Sequence, residues 1–404
     1  MYRVAAVGGV ARAYLAMLHP ETNLVGVCDV REDQRTAGKR LCDHQRAWMK
    51  PVKPDQGPVH FYADYRTMLD KEKPDLVLIA TPDRLHASMT VATLERGAHV
   101  WVEKPMCLTL EECAAMVEAA RKHKRKVAVN QSVRTTNTLQ RILQLRADGR
   151  LGTPYYAKAN YLHHKDPRVE RQDENNINAS NPLFPFGSHA IDTVLGVIGD
   201  VPEAVTCYAA KKRTSRAYAH PDTMSVHMRF SKGRIGYSLT TAASRRSGGF
   251  QIEVYGTKMD VVLDRNVYGD PVVIPDIGFE TTPVCMHFFS GRRKRETINF
   301  LDYPHGHVAS FYRTIEHLIY AMDHDVKSPA MVDVVDGAHV VTVALAAVAS
   351  AEAGGEPAAP ERFDPLPYRG TAAPMREEDY MQGFIRSHYL HRPQQRAIAR
   401  GERV

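Results

Sequence analysis

Short apolar runs alternate with helical stripes along the first 130 residues. Residues 3–7 read as an apolar strand, 11–18 as a helix, 24–28 as a strand ending in Asp29, and 34–45 as a helix. Pro51, Pro54 and Pro58 break the next stretch. Leu76-Val77-Leu78-Ile79-Ala80 is continuously apolar, as expected of a strand buried on both faces. A helix over 88–96 stops at Gly97, and a strand over 100–102 follows. Thr109 and Glu112 have capping-box spacing and open a helix over 110–123; a strand over 127–130 comes next. Strand–helix alternation predicts an α/β domain with a doubly wound parallel sheet.

The pattern changes near residue 150. A strand over 155–162 leads to a long polar loop, 163–181, and one helix over 187–198. Strands are then expected at 204–210, 223–230, 234–243, 250–255 and 259–263, with no helix between them. Such spacing predicts a large, open, mostly antiparallel sheet, hence an α+β second domain. Helices over 308–323 and 334–352 are expected to close it. The expected domains are 1–132, 133–355 and a proline- and arginine-rich arm, 356–404. Segment 266–305 fits no element.

Composition narrows the class. At 404 residues the chain is long enough for two domains. Six scattered cysteines form no CxxC pair or metal-spaced cluster, so no structural metal is expected. No run approaches a membrane span, and the first strand leaves no room for a signal peptide, so a cytoplasmic protein is expected, with no membrane partner. The net charge of +7 sits partly in runs such as Arg121-Lys122-His123-Lys124-Arg125-Lys126. A helix C-terminus accounts for that run, and no nucleic-acid partner is expected.

Chemistry enters at the first strand–helix turn, Ala6-Val7-Gly8-Gly9-Val10-Ala11. A dinucleotide turn needs a glycine where the backbone meets the pyrophosphate, and a small residue where helix packs on strand. Gly8 and Ala11 satisfy these; Ala6 departs from the usual first glycine. Asp29, at the end of the second strand, is placed to hold a ribose 2′-hydroxyl, which favours NAD over NADP. Arg31 nearby keeps NADP open.

Four stretches carry a family resemblance: the first turn running into Arg12-Ala13-Tyr14-Leu15, then Ala80-Thr81-Pro82-Asp83 with His86, then Glu103-Lys104-Pro105, then Gly187-Ser188-His189-Ala190-Ile191-Asp192. The chain resembles the glucose–fructose oxidoreductase/inositol dehydrogenase superfamily, Gfo/Idh/MocA, over about residues 1–265 and again over 306–355. The resemblance implies a cis Lys104–Pro105 peptide that aims Lys104 above a nicotinamide, with Glu103 beside the ring. It marks Gly8, Gly9, Val10, Ala11, Asp29, Ala80, Thr81, Pro82, His86, Glu103 and Asn130 as cofactor-binding. The bland alternative for Glu103 and Lys104 is a surface ion pair at a strand end.

Oxidising a carbinol carbon requires a base for the hydroxyl proton, with a pKa near working pH. A lysine serves when burial and a nearby cation destabilise its ammonium. Lys104 and His189 are the expected catalytic pair, with Asp192, one helical turn on, orienting the imidazole. An N-terminal cap interaction is the alternative for that histidine and aspartate. Relatives commonly carry Asp-x-x-x-His here, and this chain has Pro185 in the aspartate position. Two enzyme readings follow: net oxidation of a sugar or sugar derivative, or redox-neutral glycoside cleavage through oxidation at C3, elimination, water addition and re-reduction. A nucleotide sensor is a third, disfavoured because Lys104 and His189 are both retained. Tyr161, His163, His164, Arg168 and Arg171 are expected at the substrate, and Arg168, Arg171, Arg245 and Arg246 suit an anionic sugar. A polar strand end is the plain alternative for His163-His164. A homo-oligomer, dimer or tetramer, is expected through the apolar face of the second sheet, where Val226, Met228, Phe230, Ile235, Tyr237 and Leu239 alternate.

Overall fold

A computed structural model shows why the apolar runs alternate. The structure describes all residues except 10–12, 14, 15, 18, 20, 50–56, 163–179, 213–218, 245–248, 264–271, 275–278, 292, 293, 303–306 and 373–404. Strands β1 (Tyr2–Val7), β2 (Thr22–Cys28), β3 (His60–Tyr62), β4 (Leu76–Ile79), β5 (His99–Val102) and β6 (Val127–Val129) form one parallel sheet. Their order is β3-β2-β1-β4-β5-β6. The order reverses between β1 and β4, and ligands of such sheets bind where it does, at the carboxyl ends.

Helices α1 (Glu32–Met49), α2 (Tyr65–Glu72), α3 (His86–Glu95) and α4 (Leu110–His123) connect these strands. Strand β3 and helix α2 lie in the stretch where the prolines gave no element; Asp64 caps α2 by accepting from Thr67 N. The capping box of α4 forms as expected: Thr109 Oγ1 accepts from Glu112 N at 3.2 Å, and Glu112 Oε2 accepts from Thr109 N at 3.2 Å. The basic run is absorbed locally. It ends α4, with Arg121 donating to Asp364 O, Arg125 to Gly97 O, and Lys126 paired with Asp325.

After α5 (Asn137–Ala147) comes the second sheet, built from β7 (Pro154–Leu162), β8 (Ala204–Ala210), β9 (Thr223–Arg229), β10 (Ile235–Thr241), β11 (Gly249–Gly256) and β12 (Asp260–Leu263). The central pair β7–β10 is parallel and the other pairs are antiparallel. Segment 266–305, unplaced from sequence, adds β13 (Val272–Ile274), β14 (Phe279–Gly291) and β15 (Lys294–Asp302) beyond β12. Helix α6 (Ser188–Ile198) packs on the inner face against β7 and β10.

The strand alternation splits the residues expected to share one apolar face. Val226, Met228 and Phe230 are buried on the inner face. Tyr237 pairs with His227 and Leu239 with Ser225, which places Ile235, Tyr237 and Leu239 on the outer face. A period of two allows no other outcome for strands in this register.

Two elements return across the expected boundary at 132/133. Helix α7 (His307–His324) was expected to close the second domain. Instead Ile315, Leu318 and Ile319 join one core with Val4, Ala6, Leu76, Leu78 and Trp101 of the first sheet. Strands β16 (Val326–Lys327) and β17 (Val332–Asp333) follow, and β17 adds antiparallel to β6. Helix α8 (Val334–Glu352) then packs against β8, α4 and α6. Contrary to the sequence expectation, it is long and apolar enough to cross a membrane, but two thirds of it is buried among these elements, as for a core helix. The described part of the arm, to residue 372, lies on its own chain. Ala358 bridges to Val205, and β18 (Gly370–Thr371) pairs with β16.

One titration is built into the first sheet. Lys126 N donates to His99 Nδ1 at 2.9 Å, so this imidazole is an acceptor and neutral. Burial, then the charges of Arg125 and Lys126, push its pKa from 6.5 down to about 4. As pH falls the unfolded chain takes up this proton first, so the contribution is constant above 6.5 and stability is lost between 6.5 and 4. The urea midpoint should therefore drop from pH 7.5 to pH 5, and drop less in His99→Gln; equal drops in both proteins would refute the assignment.

Candidate active site

At the end of β1 the chain turns through Gly8 with φ of +67°, and Gly9 also has positive φ. A Cβ on Gly8 would lie 2.7 Å from Ala80 O and 2.9 Å from Thr81 Cγ2. Only glycine brings the backbone this close to the end of β4. The bare turn thus lies at the β1/β4 switch point, where a dinucleotide pyrophosphate would approach. Val10 and Ala11 lie outside the described residues. Asp29 follows β2, and its Oδ1 accepts from Arg31 N at 2.9 Å. The Arg31 guanidinium, the source of doubt about NADP, is bidentate with Asp33 at 2.6 and 3.1 Å. Arg35 donates to the carbonyls of Asp29 and Val30.

The ends of β4, β5 and β6 meet beside this turn. Lys104–Pro105 is cis. His86 opens α3 and bridges two turns: one ring nitrogen lies 2.8 Å from Thr81 O and the other 2.7 Å from Pro105 O. His86, expected at the cofactor, is engaged through both nitrogens by backbone, and so ties the Ala80-Thr81-Pro82 turn to the Lys104–Pro105 turn. Glu103 Oε2 accepts from Asn130 Nδ2 at 3.2 Å and from Lys104 N at 3.3 Å.

The second domain supplies the opposite wall. Leu183–Gly187 forms a π-turn, in which Gly187 N donates to Pro182 O at 3.0 Å, and α6 continues from it. Such wide turns re-aim backbone groups at functional sites. Here the turn presents the Pro185 carbonyl to Lys104, whose Nζ donates to it at 2.6 Å. The lysine thus meets a neutral carbonyl at the position where relatives were expected to carry a carboxylate. His189 follows one turn on and is buried. Its ring lies 5.6 Å from that of Tyr161, which in turn faces Phe186 at 6.3 Å and Phe250 at 6.0 Å. Lys104, His189 and Tyr161 are thereby gathered around one short segment.

Asp192 has a different partner from the one expected. Arg134 Nη2 donates to its Oδ1 at 2.6 Å and Arg134 Nε to its Oδ2 at 3.0 Å. Both residues are buried. Burial works against the Arg134 charge, and the facing carboxylate outweighs it, so its pKa rises. Both oxygens are engaged by this fork, which anchors α6; the hydrogen bonds described for Asp192 go to Arg134, not to the His189 ring.

A second carboxylate went unassigned in the sequence. Asp83 is buried and accepts from Ser180 Oγ at 3.2 Å. Burial pushes its pKa up, while His86 and Lys104 pull it down. Its signal was present, an acidic residue just past the apolar run 76–80, inside the motif that carried the resemblance. Arg134 gave none, because its partner lies 58 residues away. His163, His164, Arg168, Arg171, Arg245 and Arg246 lie outside the described residues. Among the described residues no cluster of His, Cys, Asp or Glu is placed to hold a metal ion.

Two sequence families match the chain: an oxidoreductase family with an NAD-binding Rossmann fold over residues 3–131, and the Gfo/Idh/MocA C-terminal domain over 139–262. The chain belongs to the Gfo/Idh/MocA family. Its first domain is therefore the NAD-binding Rossmann domain of that family, as the Gly8 turn and the strand order require. D-glucoside 3-dehydrogenase of Escherichia coli (strain K12) is 28% identical over 180 residues, 44% of this chain and 47% of that protein. A glycosyl hydrolase family 109 protein of Shewanella baltica (strain OS155 / ATCC BAA-1091) is 33% identical over 99 residues, 24% of this chain and 22% of that protein. The chain thus spans less than half the length of these curated relatives. Levoglucosan dehydrogenase, solved in complex with NADH, superimposes with a TM-score of 0.69 over 90% of this Gfo/Idh/MocA chain and 100% of its own. At 18% identity that likeness shows the fold.

Breaking the Arg134–Asp192 pair leaves a buried guanidinium uncompensated, which costs about 3–5 kcal/mol. Asp192→Ala should lose stability of that size in chemical denaturation, and Asp192→Asn less. Wild-type stability with a selective loss of turnover would restore a catalytic role to Asp192.

Proposed function

We propose that this protein is an NAD-dependent oxidoreductase that acts on a sugar or sugar derivative by hydride transfer at a carbinol carbon. The observation that carries the reading is Lys104: it stands at the carboxyl end of β5, its Nζ 2.6 Å from the Pro185 carbonyl, one turn before His189. NAD, when bound, accepts the hydride. Lys104 takes the hydroxyl proton as the carbon–hydrogen bond breaks. His189 and Tyr161 hold the hydroxyl, and Asp83, buried within the field of Lys104, balances its charge. Gly8 and Gly9 receive the pyrophosphate, and Asp29 the ribose. Asp29 favours NAD over NADP, because a carboxylate repels a 2′-phosphate and Arg31 is already paired with Asp33. An anionic sugar remains the expectation from the arginines at 168, 171, 245 and 246. The free thiols among the described cysteines suit a cytoplasmic setting.

A second reading has its own support. The lysine's partner is a carbonyl where relatives were expected to carry aspartate, and one stretch of the chain resembles a glycosyl hydrolase family 109 protein. On that reading the cycle is redox-neutral: oxidation at C3, loss of the aglycone by elimination, addition of water, and return of the hydride.

The two readings separate in one assay, with sugars, sugar acids and aryl glycosides supplied with NAD. Stoichiometric NADH from a free sugar supports net oxidation. Aglycone release without NADH means redox-neutral cleavage. On either reading Lys104→Ala should lower kcat by about a hundredfold to ten-thousandfold and leave NAD affinity within about twofold. An unchanged kcat would remove Lys104 from the chemistry.

We further propose self-association through the outer face of the second sheet, as a dimer or tetramer. That face carries Ile235 at 50% exposure and Tyr208 at 62%. Tyr156 and Tyr255 stack on it at 5.1 Å, beside the Lys158–Glu253 pair. Sedimentation should show an oligomer that Ile235→Asp dissociates; a wild-type monomer at micromolar concentration would end the idea.

A further inference from the structure

The cofactor and proton-transfer chemistry assigned so far uses residues from 8 to 192. A directed chain of hydrogen bonds reaches the same site from much later in the sequence. Trp101 Nε1 donates to Thr314 Oγ1 at 3.2 Å. Thr314 Oγ1 donates to Asn130 Oδ1 at 3.3 Å. Asn130 Nδ2 donates to Glu103 Oε2 at 3.2 Å. Trp101, Thr314 and Asn130 are each at most 1% exposed.

The order of these bonds leaves little freedom. An indole nitrogen only donates, so Thr314 Oγ1 must accept from it. The hydroxyl then has one hydrogen to give, and Asn130 Oδ1 receives it. With its oxygen engaged, the Asn130 amide presents its nitrogen to Glu103. A buried amide held at one end cannot turn over without leaving polar atoms unpaired. The carboxylate of Glu103 is thereby fixed at the edge of the cleft, between Asn130 and the backbone of Lys104.

We infer that Thr314 is a positioning residue: through Asn130 it sets the orientation of the Glu103 carboxylate toward the nicotinamide end of the cleft. The inference rests on the proposed placement of the cofactor beside Glu103. It also gives α7 a part in the active site beyond covering the first sheet. On this inference Thr314 acts through Asn130 and supplies no group to the reaction itself.

The test measures NAD affinity by titration calorimetry in the full-length protein, so that binding is read apart from turnover. Thr314→Val keeps the shape of the side chain and removes the hydrogen bonds with Trp101 and Asn130. It should weaken NAD about tenfold, and Thr314→Ser should restore affinity to within about twofold. The decisive measurement is the double-mutant cycle with Glu103→Gln. If Thr314 acts through Glu103, Thr314→Val should add less than about twofold to the loss already caused by Glu103→Gln. The Trp101 indole N–H, one of two such signals from the two tryptophans of the chain, should shift in the NMR spectrum of Thr314→Val and return in Thr314→Ser. Unchanged NAD affinity in Thr314→Val, or a full tenfold loss persisting in the Glu103→Gln background, would overturn the inference. If Glu103→Gln alone leaves NAD affinity intact while the indole signal still shifts, the placement of the cofactor beside Glu103 is what fails, and the role of Thr314 falls with it.

Discussion

The fork of Arg134 closes on both oxygens of Asp192 and so joins the turn after β6 to helix α6. Arg134 sits just after β6, where the nucleotide-binding sheet ends. Asp192 sits on α6, which lines the inner face of the second sheet. A Cβ on Gly196 of that helix would lie 2.9 Å from Arg134 Cζ, so the guanidinium lies flat against a helix face kept bare for it. A buried pair of this kind adds little net stability, because desolvation offsets the attraction. Its effect is geometric. It sets how α6 approaches the carboxyl ends of β5 and β6, and hence how the Pro185 carbonyl and His189 meet Lys104.

The site is legible in sequence where its residues end strands. Gly8, Asp29, Lys104 and Asn130 each follow an apolar run that marks a buried strand, and the doubly wound order brings those ends together. Local rules of strand length and turn chemistry suffice for that part. They fail where a side chain is selected by a distant partner. Asp192 was read as an orienter because His189 is its neighbour in sequence, yet the carboxylate is engaged by a guanidinium 58 residues away. Thr314 and Trp101 are 213 residues apart, and nothing local to either residue announces the contact.

The fold was legible to the same depth. Period-two alternation located the strands of the second sheet, but not which residues would share a face, since register decides that. Ile235 and Val226 carry the same hydrophobic signal and point to opposite sides. The segment from 266 to 305 lacked any recognisable pattern and became three further strands at the sheet edge, where pairing to β12 supplies an order that its own sequence does not. Pro185 is the opposite case. One residue without an N–H, in a turn that runs wide, offers the lysine a main-chain partner.

The return of α7 to the first sheet bears on how the protein is made. Leu76, Leu78 and Trp101 are synthesised early, and the helix that covers them starts at residue 307. From residue 132 to that point a ribosome adding about 5–20 residues per second takes roughly 10–35 s. Throughout that interval the patch of the nucleotide-binding sheet that α7 covers stays open, while Ala13, Ala16, Met17 and Cys42 can already pack on the rest of that face. The core of the nucleotide-binding sheet is thus completed only by the last quarter of the chain, outside the residues 3–131 that the NAD-binding family covers.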